Sequence, residues 1–284
     1  MITLKKGSAR VSLAERGAEL KSFVFDGTEY IWQGHADVWP ASCPLMFPVC
    51  GGLKNDKYTL EGKEYSLGKH GYGRFKTFAV EAADEASATF LLTEDEESLA
   101  QFPFRYELRV SYRLEEQGSL HITYSVKNNS GKTMYFSIGS HEGYATPEGI
   151  EDYDVIFEKP ENLQARLTVG NILGDQYVPL LKNGTVLPMY DKFFTVDALV
   201  FQHLNSRSVT LKNRRTGRGV RVDFPETEHL VLWHKHSAGF LCIEPWNGYH
   251  DTPACSGDLA EKEGITALAA GETYTRTHTI SILA

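Results

Sequence analysis

Long apolar runs are missing from this 284-residue chain, and none approaches the roughly 18 to 20 residues that a membrane-spanning helix needs. The opening Met1-Ile2-Thr3-Leu4-Lys5-Lys6 also lacks the apolar core of a secretory signal. A cytoplasmic location and no membrane partner are therefore expected. Cysteine is scarce. The four, Cys43, Cys50, Cys242 and Cys255, form no CxxC pair and read as reduced, largely structural thiols. Basic runs are lacking too. With 29 Lys and Arg against 37 Asp and Glu, the formal net charge is −8. No stretch could track a phosphate backbone, so nucleic acid is not an expected partner.

Common cofactor and nucleophile motifs are also absent. The chain has no P-loop, no GxGxxG opening a helix and no GxSxG elbow. Dinucleotide and α/β-hydrolase chemistry are disfavoured, and no cofactor is expected. There is no internal repeat, low-complexity tract or Pro/Gly/Ser linker. Residues 1–284 thus read as one domain, a size at which β-sandwiches often stay a single unit.

What the chain does have is period-two alternation, with little helical periodicity. Arg105–Tyr112 and Leu120–Val126 alternate apolar and polar residues across the turn-forming Glu115-Glu116-Gln117-Gly118-Ser119, which predicts an antiparallel hairpin. Further strands are predicted at Ala88–Thr93, Phe136–Gly139, Ser208–Lys212, Gly219–Phe224, His229–Trp233, Phe240–Ile243 and Tyr274–Ile282. Many short strands with frequent turns indicate an all-β fold, a large antiparallel β-sandwich or a barrel. Glu142 to Asp191 is weakly patterned, and loops with a short helix are expected there.

Three segments set a titratable side chain beside glycine or proline where a strand should give way to a loop. Lys69-His70-Gly71-Tyr72-Gly73-Arg74 brackets two glycines with a histidine and an arginine, and read alone it is equally a surface turn. In Ser137-Ile138-Gly139-Ser140-His141-Glu142-Gly143-Tyr144 an apolar strand ends on a histidine, which a rigid sheet could present to a cleft. The bland alternative is a hydrogen-bonded loop histidine. In Phe240-Leu241-Cys242-Ile243-Glu244-Pro245-Trp246 a carboxylate ends an apolar run. A buried glutamate must be paired, protonated or used in chemistry, so this is the strongest of the three signals. His234-Lys235-His236 sets two imidazoles on one face of a predicted strand, but two ligands are too few for a catalytic zinc, and no metal is expected.

Taken in order, these segments resemble the galactose mutarotase (aldose 1-epimerase) superfamily, in particular its LacX-like branch. Pro44-Leu45-Met46-Phe47-Pro48-Val49-Cys50-Gly51-Gly52-Leu53-Lys54 is similar to "LFPxxGRL", and His70-Gly71-Tyr72-Gly73-Arg74 to "HGFAR". Ser140-His141-Glu142-Gly143-Tyr144 is similar to "GxHPAF", Val196-Asp197-Ala198-Leu199-Val200-Phe201 to "DALIF", and Cys242–Gly248 to "CIEPWxG". The resemblance implies a galactose mutarotase-like supersandwich with an open sugar cleft, and exchange of a sugar's α and β anomers through acid/base ring opening. It implies Glu244 as base, His141 as acid, and His70 as a second histidine that orients the sugar or stabilises charge on the ring oxygen. Arg74, Asp197 and Trp246 are the implied substrate contacts, with Asp191 competing for the place of Asp197. A monosaccharide or phosphosugar substrate and a monomer or homodimer are expected.

Two departures bear on specificity. Gly52 stands where the branch has arginine, which removes a donor to sugar or phosphate, with Lys54 and Lys69 near enough in sequence to compensate. Glu142 and Gly143 replace proline and alanine, and are expected to widen or recharge the rim around His141. A non-catalytic carbohydrate-binding or sensing protein and a hexose-6-phosphate mutarotase are the alternatives.

Overall fold

The structure, a computed structural model, describes residues 1–227 and 229–284. The hairpin forms as its alternation predicts. Tyr106–Leu114 pairs antiparallel with Ser119–Asn128, from Tyr106 opposite Asn128 to Leu114 opposite Leu120. Gly118 makes the reversal at φ +73°, which a side chain would resist. Tyr106, Leu108, Val110, Tyr112 and Leu114 all point inward. This pair sits inside a nine-stranded sheet whose edges are Gly184–Pro188 and Ala79–Ala83.

A second sheet has eight strands. Its order is Ile172–Pro179, Gln164–Val169, Leu199–Phe201, His229–Trp233, Phe240–Asn247, Ile138–Ser140 and Leu45–Met46, with Glu142–Ala145 also paired to Phe240–Asn247. Among the described residues every ladder between strands is antiparallel in both sheets. Val110, Ile122, Val155 and Ile280 of the first sheet share one apolar core with Leu199, Leu230, Leu241 and Ile243 of the second. The fold is thus an antiparallel β-sandwich.

Phe240–Asn247 is buried on both faces, which is why it reads as a continuous apolar run. Leu241 and Ile243 join the sandwich core. Phe240, Cys242, Glu244 and Trp246 alternate onto the outer face, where further apolar groups cover them. Glu244 therefore lies within this strand rather than at its end, because the strand runs on through Pro245 to Asn247. Among the described residues, no helix is long and apolar enough to cross a membrane.

Other expectations are corrected here. The expected short helix forms as a 3₁₀ turn at Ile150–Asp152, but Glu142 to Asp191 also holds strands at Glu142–Ala145, Tyr153–Glu161, Gln164–Val169, Ile172–Pro179 and Gly184–Pro188. Two of them are sheet edges, and Asp175 to Pro179 are solvent-exposed, so burial imposes little alternation there. Phe136–Gly139 splits between two sheets as Met134–Phe136 and Ile138–Ser140. The break falls at Ser137, whose Oγ accepts the Cys50 N–H at 2.8 Å. His234 and His236 lie beyond their strand, which ends at Trp233. All four cysteines are free thiols, and only Cys255 is not buried.

Candidate active site

On the outer face of the eight-stranded sheet a cleft of about 280 Å³ gathers Lys69, His70, Arg74, His141, Asp197, Trp233, Glu244, Trp246 and His250. That volume is near the small end of ligand pockets, about 300–1,000 Å³. Each side chain is delivered by a different constraint. Glu244 and Trp246 stand two residues apart on one strand and so face the same way. His141 occupies the single residue between Ile138–Ser140 and Glu142–Ala145. His70 has φ +67°, and the loop behind it is held by Gly71, where a Cβ would lie 2.3 Å from the Phe47 carbonyl oxygen.

The centre is a carboxylate oxygen and an imidazole nitrogen that face each other, neither with a hydrogen bond. Glu244 Oε2 accepts the Trp246 Nε1–H at 3.1 Å, leaving Oε1 buried with no hydrogen bond. His141 Nδ1 sits 3.4 Å from that Oε1 and is likewise unbonded. Burial drives the Glu244 carboxyl well above the usual range, the Trp246 hydrogen bond opposing it. Burial lowers His141 to about 3, with Lys69 and Arg74 adding to the effect. Burial thus favours the neutral form of both groups, and a proton can pass between the facing carboxyl and imidazole.

His70 stands beside the pair, its ring centroid 5.7 Å from His141 and 5.5 Å from Trp246. The Gly51 N–H donates to His70 Nδ1 at 3.1 Å. Burial, with the nearby positive groups, keeps His70 well below its ordinary value. A neutral ring accepting at Nδ1 carries its proton on Nε2, so His70 acts as a hydrogen-bond donor through Nε2. Buried Arg74 Nε and His250 Nδ1 are also unbonded. Unsatisfied polar atoms converging on one hollow point to a polar ligand.

The two aspartates separate cleanly. Asp197 lines the cleft and accepts the Trp233 indole N–H at 3.0 Å. Asp191 lies outside it, bonded to His234 Nε2 at 2.7 Å and ion-paired with His236. The lysines separate as well. Lys69 lines the cleft, whereas Lys54 Nζ donates to the Pro253 carbonyl at 2.8 Å. No side chain fits at Gly52, where a Cβ would lie 2.1 Å from the Asn171 carbonyl oxygen. Glu142 does not reach the rim. Strand alternation turns it inward, where it bonds His278 Nε2 at 2.9 Å. Gly143 does not widen the rim either, because Trp39 packs over it, 2.7 Å from where a Cβ would be.

Sequence reasoning missed three cleft residues. His250 packs against Trp246 with tilted rings, centroids 5.2 Å apart, and its signal was its place four residues after that tryptophan. Trp39 lies 5.1 Å from the His141 ring and Trp233 5.5 Å from it. Trp233 was visible only as the residue before the paired histidines. Trp39 comes from a distant loop that no local pattern marks.

Comparison with known proteins places the chain in a family. The family model for aldose 1-epimerase matches residues 1–281. The chromosomal protein LacX of Lactococcus lactis is 32% identical over 297 aligned positions, 99% of each chain. A galactose mutarotase related enzyme from Lactobacillus acidophilus superposes with a TM-score of 0.93 at 30% identity, covering 100% of this chain and 97% of that one. A galactose mutarotase-like protein from Lactobacillus casei gives 0.93 at 28% identity, with 100% of both chains covered. On these grounds the chain belongs to the aldose 1-epimerase family, in its LacX-like branch.

Proposed function

We propose that this protein is an aldose 1-epimerase that interconverts the α and β anomers of a hexose or related aldose. The observation that carries the reading is the facing pair of unbonded atoms, Glu244 Oε1 and His141 Nδ1, 3.4 Å apart in the cleft. Ring opening needs a base on the C1 hydroxyl and an acid at the ring oxygen. A bound sugar replaces the missing hydrogen bonds and draws the shared proton onto His141. Glu244 then takes the proton of the C1 hydroxyl while His141 gives its own to the ring oxygen. The C1–O5 bond breaks, C1–C2 rotates, and reclosure runs the transfers backwards. His70 Nε2–H orients the sugar, Asp197 accepts from sugar hydroxyls, and Trp246 both walls the cleft and holds the base.

Substrate charge is the finer question, and Lys69 and Arg74 on the cleft wall favour a phosphosugar as the second reading. NMR saturation transfer between anomers, on free aldoses and their 6-phosphates, tests both. The free-sugar reading predicts exchange above buffer on at least one unphosphorylated aldose. Arg74→Ala should then weaken free-sugar and phosphosugar use equally, whereas a selective phosphosugar loss favours the second reading. Sugar binding without exchange on any aldose or aldose phosphate would leave a carbohydrate-binding protein.

A further inference from the structure

One cleft-side group has no part in proton transfer. Cys242 precedes Glu244 by two residues on the same strand, so its thiol faces the same way. Its Sγ, one His141 ring nitrogen and one Glu244 carboxylate oxygen lie within 4.8 Å of one another. Cys242 and Glu244 are 0% and 1% exposed, and Glu244 Oε1 and His141 Nδ1 have no hydrogen-bond partner.

We propose that these three side chains form an inhibitory site for a thiophilic divalent cation, of which Zn²⁺ is the type. Zinc bonds of about 2.0–2.3 Å put neighbouring ligand atoms about 3.3–3.8 Å apart in a tetrahedron. The His141–Glu244 edge, 3.4 Å, already has that length. Thiolate, imidazole and carboxylate are a donor set that selects zinc over Mg²⁺ or Ca²⁺, which prefer oxygen. On binding, the Cys242 thiol and the neutral Glu244 carboxyl each lose a proton to solvent, and metal–sulfur and metal–oxygen bonds replace them. The fourth position opens toward the cleft. Trp246 Nε1, donating to the other carboxylate oxygen, fixes the glutamate from behind. A bound ion occupies both the acid and the base, so the inhibitory part of the proposal rests on the mutarotase reading. The metal site itself does not.

The test titrates the wild type with Zn²⁺ by calorimetry and with Co²⁺ by absorption. One ion per chain is expected, with a sulfur-to-cobalt charge-transfer band in the near ultraviolet and no binding of Mg²⁺. Cys242→Ala should abolish that band and weaken Zn²⁺ by at least about tenfold, the low end of what losing even an outer-shell partner costs. Cys255→Ser and His236→Ala should leave both unchanged. X-ray absorption on the zinc-loaded wild type needs no variant to fold, and should show one sulfur at about 2.3 Å. A shell without sulfur, a band that survives Cys242→Ala, or no binding at all overturns the site. Zinc bound through sulfur in a protein without anomer exchange supports the site and counts against the mutarotase reading alone.

Discussion

As the proposed base, Glu244 is tuned by the Trp246 indole beside it. Its buried carboxyl is pushed toward the neutral form, and the Trp246 indole N–H is the main group that opposes this, with Lys69 adding to it. Trp246→Phe removes that donor and keeps most of the ring. A hydrogen bond to a charged group contributes about 1.5–3 kcal/mol, so anomer exchange should fall by about ten- to a hundredfold. Circular dichroism should show the fold unchanged, and an unaltered rate would show that Glu244 does not depend on this bond. The burial of Glu244 was legible because a carboxylate inside an apolar run is costly unless used or paired. Its exact partner was not, since Trp246 was read as a substrate contact. His250 and Trp39 were illegible for a plainer reason: their contacts are made by tertiary approach, and neither local periodicity nor turn chemistry encodes it.

At the scale of elements, the turn between Gln164–Val169 and Ile172–Pro179 closes the space beside Gly52, the position where the motif that this segment resembles carries arginine. Asn171 in that turn lies against Gly52, 2.1 Å from where a Cβ would stand. Restoring the family residue should therefore harm this protein. Gly52→Ala is expected to cost about 1–3 kcal/mol, the usual price of overpacking, read as a lowered midpoint in urea. Gly52→Arg should lose at least as much and gain no activity; a stable, faster Gly52→Arg would show that the turn yields freely. The loss of the arginine was visible in the sequence, but its compensation was not, because the filling residue lies 119 positions away by the numbering of Gly52 and Asn171. Central strands were legible since two-sided or one-sided burial dictates their pattern. Edge strands within Glu142 to Asp191 were not, because solvent on one face relaxes it.

Over the whole molecule, the cleft makes folding sensitive to acid. His141 and His250 are held at about 3 by burial, against 6.5 for an ordinary histidine. Between those values the unfolded chain binds more protons, so stability falls as pH drops from about 6.5 toward 3. Glu244 acts in the opposite sense. Its raised carboxyl stabilises the folded state in acid, and that contribution is lost as pH rises through its folded value. With three cleft histidines, His70 among them, against one carboxyl, the midpoint of thermal unfolding should decline from pH 6 to pH 4. His250→Gln should make the decline shallower, by at most about 1.4 kcal/mol per pH unit; an unchanged slope would mean that His250 is already protonated in the native protein. The sandwich that imposes this burial also brings residues 70, 141 and 244 to one hollow, and the account rests on what the last two do there. Saturation transfer between the anomers of the best aldose substrate, compared for wild type, Glu244→Gln and His141→Asn, measures it. Loss of exchange by about 10²-fold or more in both variants, with sugar binding kept, is the predicted result; wild-type exchange in either one contradicts it.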